Sequence, residues 1–257
     1  MSDQAPRKQA LVTGASSGIG ESFSLWCAKH GFDVVLVGRS SGELARVATT
    51  VQSFGARADI VVADLASKEG VETVGAQYPS VDLLILNAGI THAAAVGTSD
   101  RDQLDSLTYL MSTGVVRMCE LLVPNMTRRG SGEVVIVSSI ASFTPMRKAG
   151  PYAAAKSHAT AYARSLAMEV RHHGVRVIAV CPGYVRTDLH RRAGLDHLTK
   201  NVPNWMWLSA DRVVNETMHA LARGKSVIVP GRVYRMALPF LSSTLAQSVW
   251  RRLTRRR

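Results

Sequence analysis

Apolar runs punctuate the chain at regular intervals. QALVT (9–13) is the first, and FDVVLVG (32–38), ADIVVAD (58–64), VDLLILN (81–87), GEVVIVSS (132–139), GVRVIAVCP (174–182) and SVIVP (226–230) follow. Their Val, Ile and Leu residues are consecutive, not alternating, which predicts strands covered on both faces. Helical patterns lie between them: one to about His30, one to about Ser53, and long ones over about 101–128 and 151–173. Strands alternating with helices predict an α/β fold, a Rossmann-like doubly wound parallel sheet of about seven strands with helices on both faces. No composition break interrupts this before Pro230. Residues 1–230 therefore read as one domain and 231–257 as a helical tail.

Composition sharpens this picture. The chain has 257 residues, 46% hydrophobic and 19% charged, enough for one large core. The opening MSDQAPRKQALVTG is polar and runs straight into a strand, so no signal peptide is expected, and no apolar run is long enough for a membrane span. Cys27, Cys119 and Cys181 are far apart and inside apolar segments, which reads as reduced core cysteines of a cytoplasmic protein and not as a disulfide set or metal cluster. The net charge of +12 is uneven: from Arg186 onward 14 Lys/Arg face 4 Asp/Glu, and the chain ends RRLTRRR. Such a tail either attracts polyanions or is a solvated appendage.

Two motifs bear chemistry. In LVTGASSGIGES, glycines 14, 18 and 20 fall between the first strand and the first helix. That spacing permits a tight turn and lets backbone approach a pyrophosphate, with a helix N-terminus facing the phosphates. In GPYAAAK, Tyr152 and Lys156 are one helical turn apart on one face, with only alanines between them. Pro151 suits the first turn of that helix.

TGxxxGxG at Thr13–Gly20, NAG at Asn87–Gly89, Ser139, Tyr152-x-x-x-Lys156 and PG at Pro182–Gly183 occur in one order. In this set the chain resembles the short-chain dehydrogenase/reductase family, over roughly residues 8 to 188. The resemblance implies an oxidoreductase that interconverts a carbonyl and an alcohol. Gly14, Ser16, Ser17, Gly18, Ile19 and Gly20 would cradle a dinucleotide. Asp64, with Leu65, would contact the adenine, and Asn87, Ala88 and Gly89 would support the central sheet beside the ribose. Pro182, Gly183, Val185 and Thr187 would line the nicotinamide. Tyr152 would be the general acid/base, Lys156 would lower its pKa and hold the ribose, and Ser139 would steady the carbonyl oxygen. Tyr152 and Lys156 thus belong to both the catalytic and the cofactor set. The family also implies a homodimer or homotetramer built on the two long helices.

The cofactor follows from VLVGRSSGEL. An acid after the second strand would select NAD; here Gly38 holds that place, and Arg39, with Ser40, is suited to a 2′-phosphate. The expectation is NADP(H) in preference to NAD(H). One departure stands out. Where relatives carry an Asn that holds a proton-relay water, TYLMSTGVV places Met111, a weak acceptor at best. Either Ser112 or His92 rebuilds the relay, or proton transfer slows, or Met111 merely fills the core. A cofactor-binding scaffold with weakened catalysis is the alternative function.

The stretch after PG, about 184–209, reads as a substrate lid in which Trp205, Met206, Trp207 and Leu208 either wall an apolar pocket or pack in the core. Phe143, Met146 and Arg147 border the site. The expected substrate is bulky and apolar: a lipid, steroid or fatty-acyl compound. In the tail, Val233, Met236, Leu238, Phe240, Leu241, Leu245, Val249 and Trp250 recur among arginines, and Pro239 is expected to interrupt any single helix. The tail either docks on protein or makes peripheral membrane contact. Nucleic acid is disfavoured because no aromatic platform accompanies the arginines.

Overall fold

A computed structural model describes residues 7–187 and 202–243. The element order is β1 (Lys8–Thr13), α1 (Gly18–Lys29), β2 (Phe32–Gly38), α2 (Ser41–Ser53), β3 (Ala58–Val62), α3 (Lys68–Gln77), β4 (Leu83–Leu86), α4 (Arg101–Thr108), α5 (Gly114–Arg128), β5 (Gly132–Val137), α6 (Gly150–Val170), β6 (Val175–Val180), α7 (Ala210–Ala222), β7 (Val227–Ile228) and α8 (Arg232–Ser242). The strands form one seven-stranded sheet in the order β3-β2-β1-β4-β5-β6-β7. Every pairing is parallel. The order reverses between β1 and β4, and ligands of such sheets bind at that point, beyond the carboxyl ends of the strands.

The consecutive apolar runs are buried on both faces as their pattern requires. Leu11, Val12, Val35, Leu36, Leu84, Ile85, Val135, Ile136, Ile178 and Ala179 have no exposed surface. The helices bury one stripe each: α2 sinks Leu44, Val47, Ala48 and Val51 and leaves its other side in water. α6 begins at Gly150 with Pro151 in its first turn. All three cysteines are buried and reduced, and burial raises each thiol, that of Cys119 to about 12.

Three expectations need correction. The helix over 101–128 is not uniform: a turn of π-helix, Tyr109–Thr113, joins α4 to α5. The last strand shrinks to Val227–Ile228, because it pairs on one side only, with β6. Pro239 does not end the tail helix. It lies inside α8, late enough that the lost hydrogen bond falls within the final two turns. Within that tail, Tyr234 of α8 belongs to the buried core. Residues 244–257, with Leu245, Val249, Trp250 and the last five arginines, lie outside the described residues, as does the middle of the expected lid, 188–201.

Candidate active site

Each strand from β1 to β6 stops just short of a candidate residue. Gly14 follows β1, Arg39 follows β2, Asp64 lies just beyond β3, Asn87 follows β4, Ser139 lies just beyond β5 and Pro182 just beyond β6. The parallel sheet thus collects residues from Gly14 to Pro182 along one edge.

The glycine loop is crowded against its neighbours. Gly14 has φ +63°, and a Cβ there would come within 2.9 Å of the Ala88 Cα. A Cβ at Gly20 would collide with the Gly14 carbonyl oxygen, and one at Gly18 would come within 2.9 Å of the Thr187 Cγ2. Backbone therefore approaches backbone where side chains have no room. Ser17 is the N-cap of α1, yet its side chain makes no capping bond. The first N–H groups of α1 are thus left to an anion, as a dinucleotide cradle needs. Ile19 is partly buried against the core.

Thr13 fixes the register of this loop. Its hydroxyl accepts from the backbone N–H groups of Asn87 at 2.9 Å and Ala88 at 3.0 Å, and donates to the Ile85 carbonyl at 3.2 Å. The Asn87 amide donates in turn to the carbonyls of Thr13 at 3.0 Å and Gly14 at 3.1 Å. These bonds join the ends of β1 and β4. The sequence reading assigned no role to the Thr13 hydroxyl, because its partners lie more than 70 positions away.

At the end of β2, Arg39 is exposed, and Ser40 caps α2 without a side-chain bond. The Ala15 N–H donates to the Val37 carbonyl at 3.1 Å, so the glycine loop starts beside the strand that delivers Arg39. Arg46 of α2, absent from the sequence reading, grips Glu21 of α1 at 2.7 and 2.9 Å and reaches the Ser16 carbonyl at 3.4 Å. Asp64 is exposed and accepts from the Ala66 N–H at 3.0 Å; Leu65 beside it is buried.

Ser139, Tyr152 and Lys156 come together at the end of β5. The Ser139 hydroxyl accepts from the Ala141 N–H at 3.1 Å, and Ser139 is close enough to Tyr152 to draw its pKa down. Lys156 is only 5% exposed. Its Nζ donates to the Val137 carbonyl at 2.8 Å and stands 5.9 Å from the centre of the Tyr152 ring. The Ser138 hydroxyl donates to the Lys156 carbonyl at 2.8 Å and meets Thr160 Oγ1 at 2.7 Å, tying α6 to β5 at this level.

Burial raises the Tyr152 phenol above its ordinary 10.0, and neighbouring Ser139 only moderates that. Burial also pulls Lys156 down from 10.5 to about 8, against a smaller opposing effect of Cys181. The protein alone therefore favours the neutral form of both groups.

Met111 is 1% exposed and sits in the π-helical turn, packed in a small cluster with Leu107 and Ala155 and against Tyr152. A Cβ built on Gly89 would lie 3.2 Å from the Met111 sulfur and 3.4 Å from Lys156 Nζ, so these three groups converge. Ser112 is buried, and His92 Nε2 faces Ser99 Oγ at 2.7 Å.

On the far side, the Pro182 carbonyl accepts from the Ile140 N–H at 2.9 Å. The Tyr234 ring covers Gly183, leaving no space for a Cβ there. The Tyr234 hydroxyl accepts from the Tyr184 N–H at 3.0 Å and donates to the Met206 carbonyl at 2.6 Å. Val185 is buried in the core and bridges Leu208, so its side chain is a packing group. Of the four expected wall residues, Leu208 is core and Trp205 is 65% exposed, while Trp207 tilts against Tyr184 at 5.5 Å. Phe143 is half-buried and Met146 and Arg147 are exposed. Tyr234 was missed as a site element because it comes after the last strand, with no local signal.

A family model described as short chain dehydrogenase matches residues 8–197. The dehydrogenase/reductase SDR family protein 7-like of Drosophila melanogaster is 34% identical over 199 residues, 74% of this chain and 61% of that protein, so the match spans less than two thirds of that relative's length. A short-chain dehydrogenase from Sphingobium yanoikuyae, solved in complex with NADPH, is 25% identical with a TM-score of 0.82, over 97% of this chain and 96% of that one. The L-sorbose reductase of Gluconobacter frateurii, complexed with NADPH and L-sorbose, is 25% identical with a TM-score of 0.76, over 90% of this chain and 98% of that one.

Proposed function

The chain belongs to the short-chain dehydrogenase family, and from that premise we propose that it is an NADP(H)-dependent oxidoreductase interconverting a carbonyl and an alcohol on a bulky, apolar substrate. The observation that carries this reading is the convergence of Ser139, Tyr152 and Lys156 beside the glycine cradle, with Lys156 Nζ held by the Val137 carbonyl and 5.9 Å from the centre of the Tyr152 ring. The crowded Gly14–Gly20 loop and the uncapped start of α1 suit a pyrophosphate. Exposed Arg39 and the uncommitted Ser40 hydroxyl suit a 2′-phosphate. The NADPH in the Sphingobium and Gluconobacter proteins supports the same choice.

When bound, the nicotinamide supplies or accepts the hydride. The protein handles the proton. In reduction, Tyr152 Oη gives its proton to the carbonyl oxygen while the Ser139 hydroxyl donates to the same oxygen. A phenol held above its ordinary pKa is protonated at neutral pH, the state that reduction requires. Alcohol oxidation needs the phenolate, so its rate is expected to rise with pH. Lys156 stabilises that phenolate once it forms. The substrate class rests on apolar residues in the segments that follow β5 and β6: Phe143, Met146, Tyr184 and Trp207.

The test is a fluorescence titration with NADPH and with NADH, on native protein, Arg39→Ala and Tyr152→Phe, followed by turnover of bulky ketones. The expected result is tighter NADPH binding in the native protein and a loss of about tenfold or more in Arg39→Ala, since a charge-assisted bond contributes about 1.5–3 kcal/mol. NADH binding should be unchanged in that variant. Tyr152→Phe should bind NADPH normally and turn over no ketone. Equal affinity for the two cofactors would overturn the NADP assignment, and undiminished turnover in Tyr152→Phe would overturn the acid/base role. A second reading, a cofactor-binding scaffold, draws on one observation, the Met111 thioether beside Lys156. NADPH binding with no turnover of any ketone in the native protein would favour it.

A further inference from the structure

We infer that the outer face of α8 seats the protein on an anionic bilayer surface. α8 has two unlike sides. Its inner side is fixed: Tyr234 is buried, its hydroxyl holds Tyr184 and Met206, and its ring lies on Gly183. Arg235 pairs with Glu216 of α7 at 2.9 Å, and α8 also packs against the Ile140–Phe143 turn. The helix is therefore held rigidly at the rim of the candidate active site.

The outer side is apolar and uncovered. Met236 is 76% exposed, Phe240 71% and Val233 40%. On an ideal helix these three lie within about 60° of one another, with Tyr234 and Leu238 on the far side. Trp205, 65% exposed, stands on the adjoining turn whose Met206 carbonyl Tyr234 holds. Large apolar side chains grouped on one exposed stripe mark an interaction surface.

Charge selects the partner. Residues 231–257 contain seven arginines and no acidic residue, in a chain of net charge +12. Arg232 flanks the stripe on α8 itself, and five further arginines follow α8 in the sequence. A second copy of this chain would set arginines against arginines. An anionic lipid surface accepts both parts: Phe240, Met236 and Val233 at the headgroup boundary, and the guanidinium groups among the phosphates. Among the described residues no helix is long and apolar enough to cross a membrane, so the contact is peripheral.

This inference stands independently of the oxidoreductase reading. Its test is co-sedimentation of the full chain with vesicles of phosphatidylcholine alone and of phosphatidylcholine with phosphatidylglycerol. The Met236→Glu/Phe240→Glu double variant is run beside the native protein, and NADPH titration of both reports an intact fold and cradle. The native protein is expected to pellet with the anionic vesicles about tenfold or more over the neutral ones and to be released by high salt. The double variant should lose about tenfold or more of that binding with its NADPH affinity unchanged. Native protein that stays in the supernatant would overturn the inference. So would a double variant that pellets as the native protein does, because the arginines alone would then carry the binding. A native dimer that the double variant splits, without pelleting, would assign the face to a second copy and equally overturn it. Failure of NADPH binding with vesicle binding intact would count against the oxidoreductase reading alone.

Discussion

Lys156 is a lysine in a place that suits a neutral group. Its Nζ has one carbonyl partner, Val137, and like the Met111 sulfur it borders the space beside Gly89, so burial draws its pKa to about 8. A lysine whose folded pKa is below its unfolded value binds its proton more weakly when folded. Its contribution to stability is therefore least favourable at neutral pH and improves as pH rises from about 8 toward 10.5. Met111 is part of the cause, since a thioether neither solvates nor pairs with an ammonium. Met111→Asn places an amide oxygen beside Nζ and should raise the lysine pKa. The expected sign is an upward shift of the pH midpoint in the turnover profile. The same change puts an amide into the cluster of Leu107 and Ala155 and should cost about 1–3 kcal/mol in urea unfolding. An unmoved pH profile would show that the thioether does not govern Lys156.

At the scale of elements, the junction of β1 and β4 depends on one hydroxyl. Thr13 Oγ1 satisfies two backbone N–H groups of the Asn87–Ala88 segment, and Thr13 itself is 2% exposed. Thr13→Val keeps the volume and orphans both donors. An unsatisfied buried donor costs about 1–3 kcal/mol, so a loss of about 2–4 kcal/mol is expected in urea unfolding. NADPH affinity should fall with it, because the Asn87 amide that holds the Gly14 carbonyl shifts when its backbone is released. Thr13→Ser, which retains the oxygen, should recover most of both. The π-helical turn acts at the same scale: it closes α4 onto α5 and sets Met111 toward α6. Such turns are frequent at functional sites.

Across the whole molecule, the end of the sheet opposite the site is fastened by Asp33. This 5% exposed carboxylate accepts from the Arg57 N–H at 2.9 Å and Arg57 Nε at 2.7 Å, and pairs with Arg7 at 3.3 Å. It joins the entrances of β1, β2 and β3. Burial pushes its carboxyl pKa up, but the Arg57 amide and guanidinium and the Arg7 charge outweigh that and hold it below 3.8. A depressed carboxylate contributes stability above its unfolded pKa and loses it as pH falls through the folded value. Asp33→Asn should thus lower stability by about 1–3 kcal/mol at pH 7, with the gap to native protein closing as both are acidified below about pH 4. A gap that persists in acid would assign the effect to packing and not to charge.

The sequence by itself determined the α/β class, the parallel sheet and the order of its elements. Those follow from short-range periodicity, and consecutive Val, Ile and Leu have no stable place except between two helical layers. Its resemblance to the short-chain dehydrogenase family also put glycines 14, 18 and 20, Ser139, Tyr152 and Lys156 into one expected site. Only the tertiary structure decided what these groups experience. The charge balance of Tyr152 and Lys156 depends on burial beneath Gly89 and Met111, the cradle register on a Thr13 hydroxyl bonded across more than 70 positions, and the rim of the site on Tyr234 from beyond the last strand. Desolvation and long-range hydrogen bonds are set by neighbours in space, and periodicity along the chain carries no record of them.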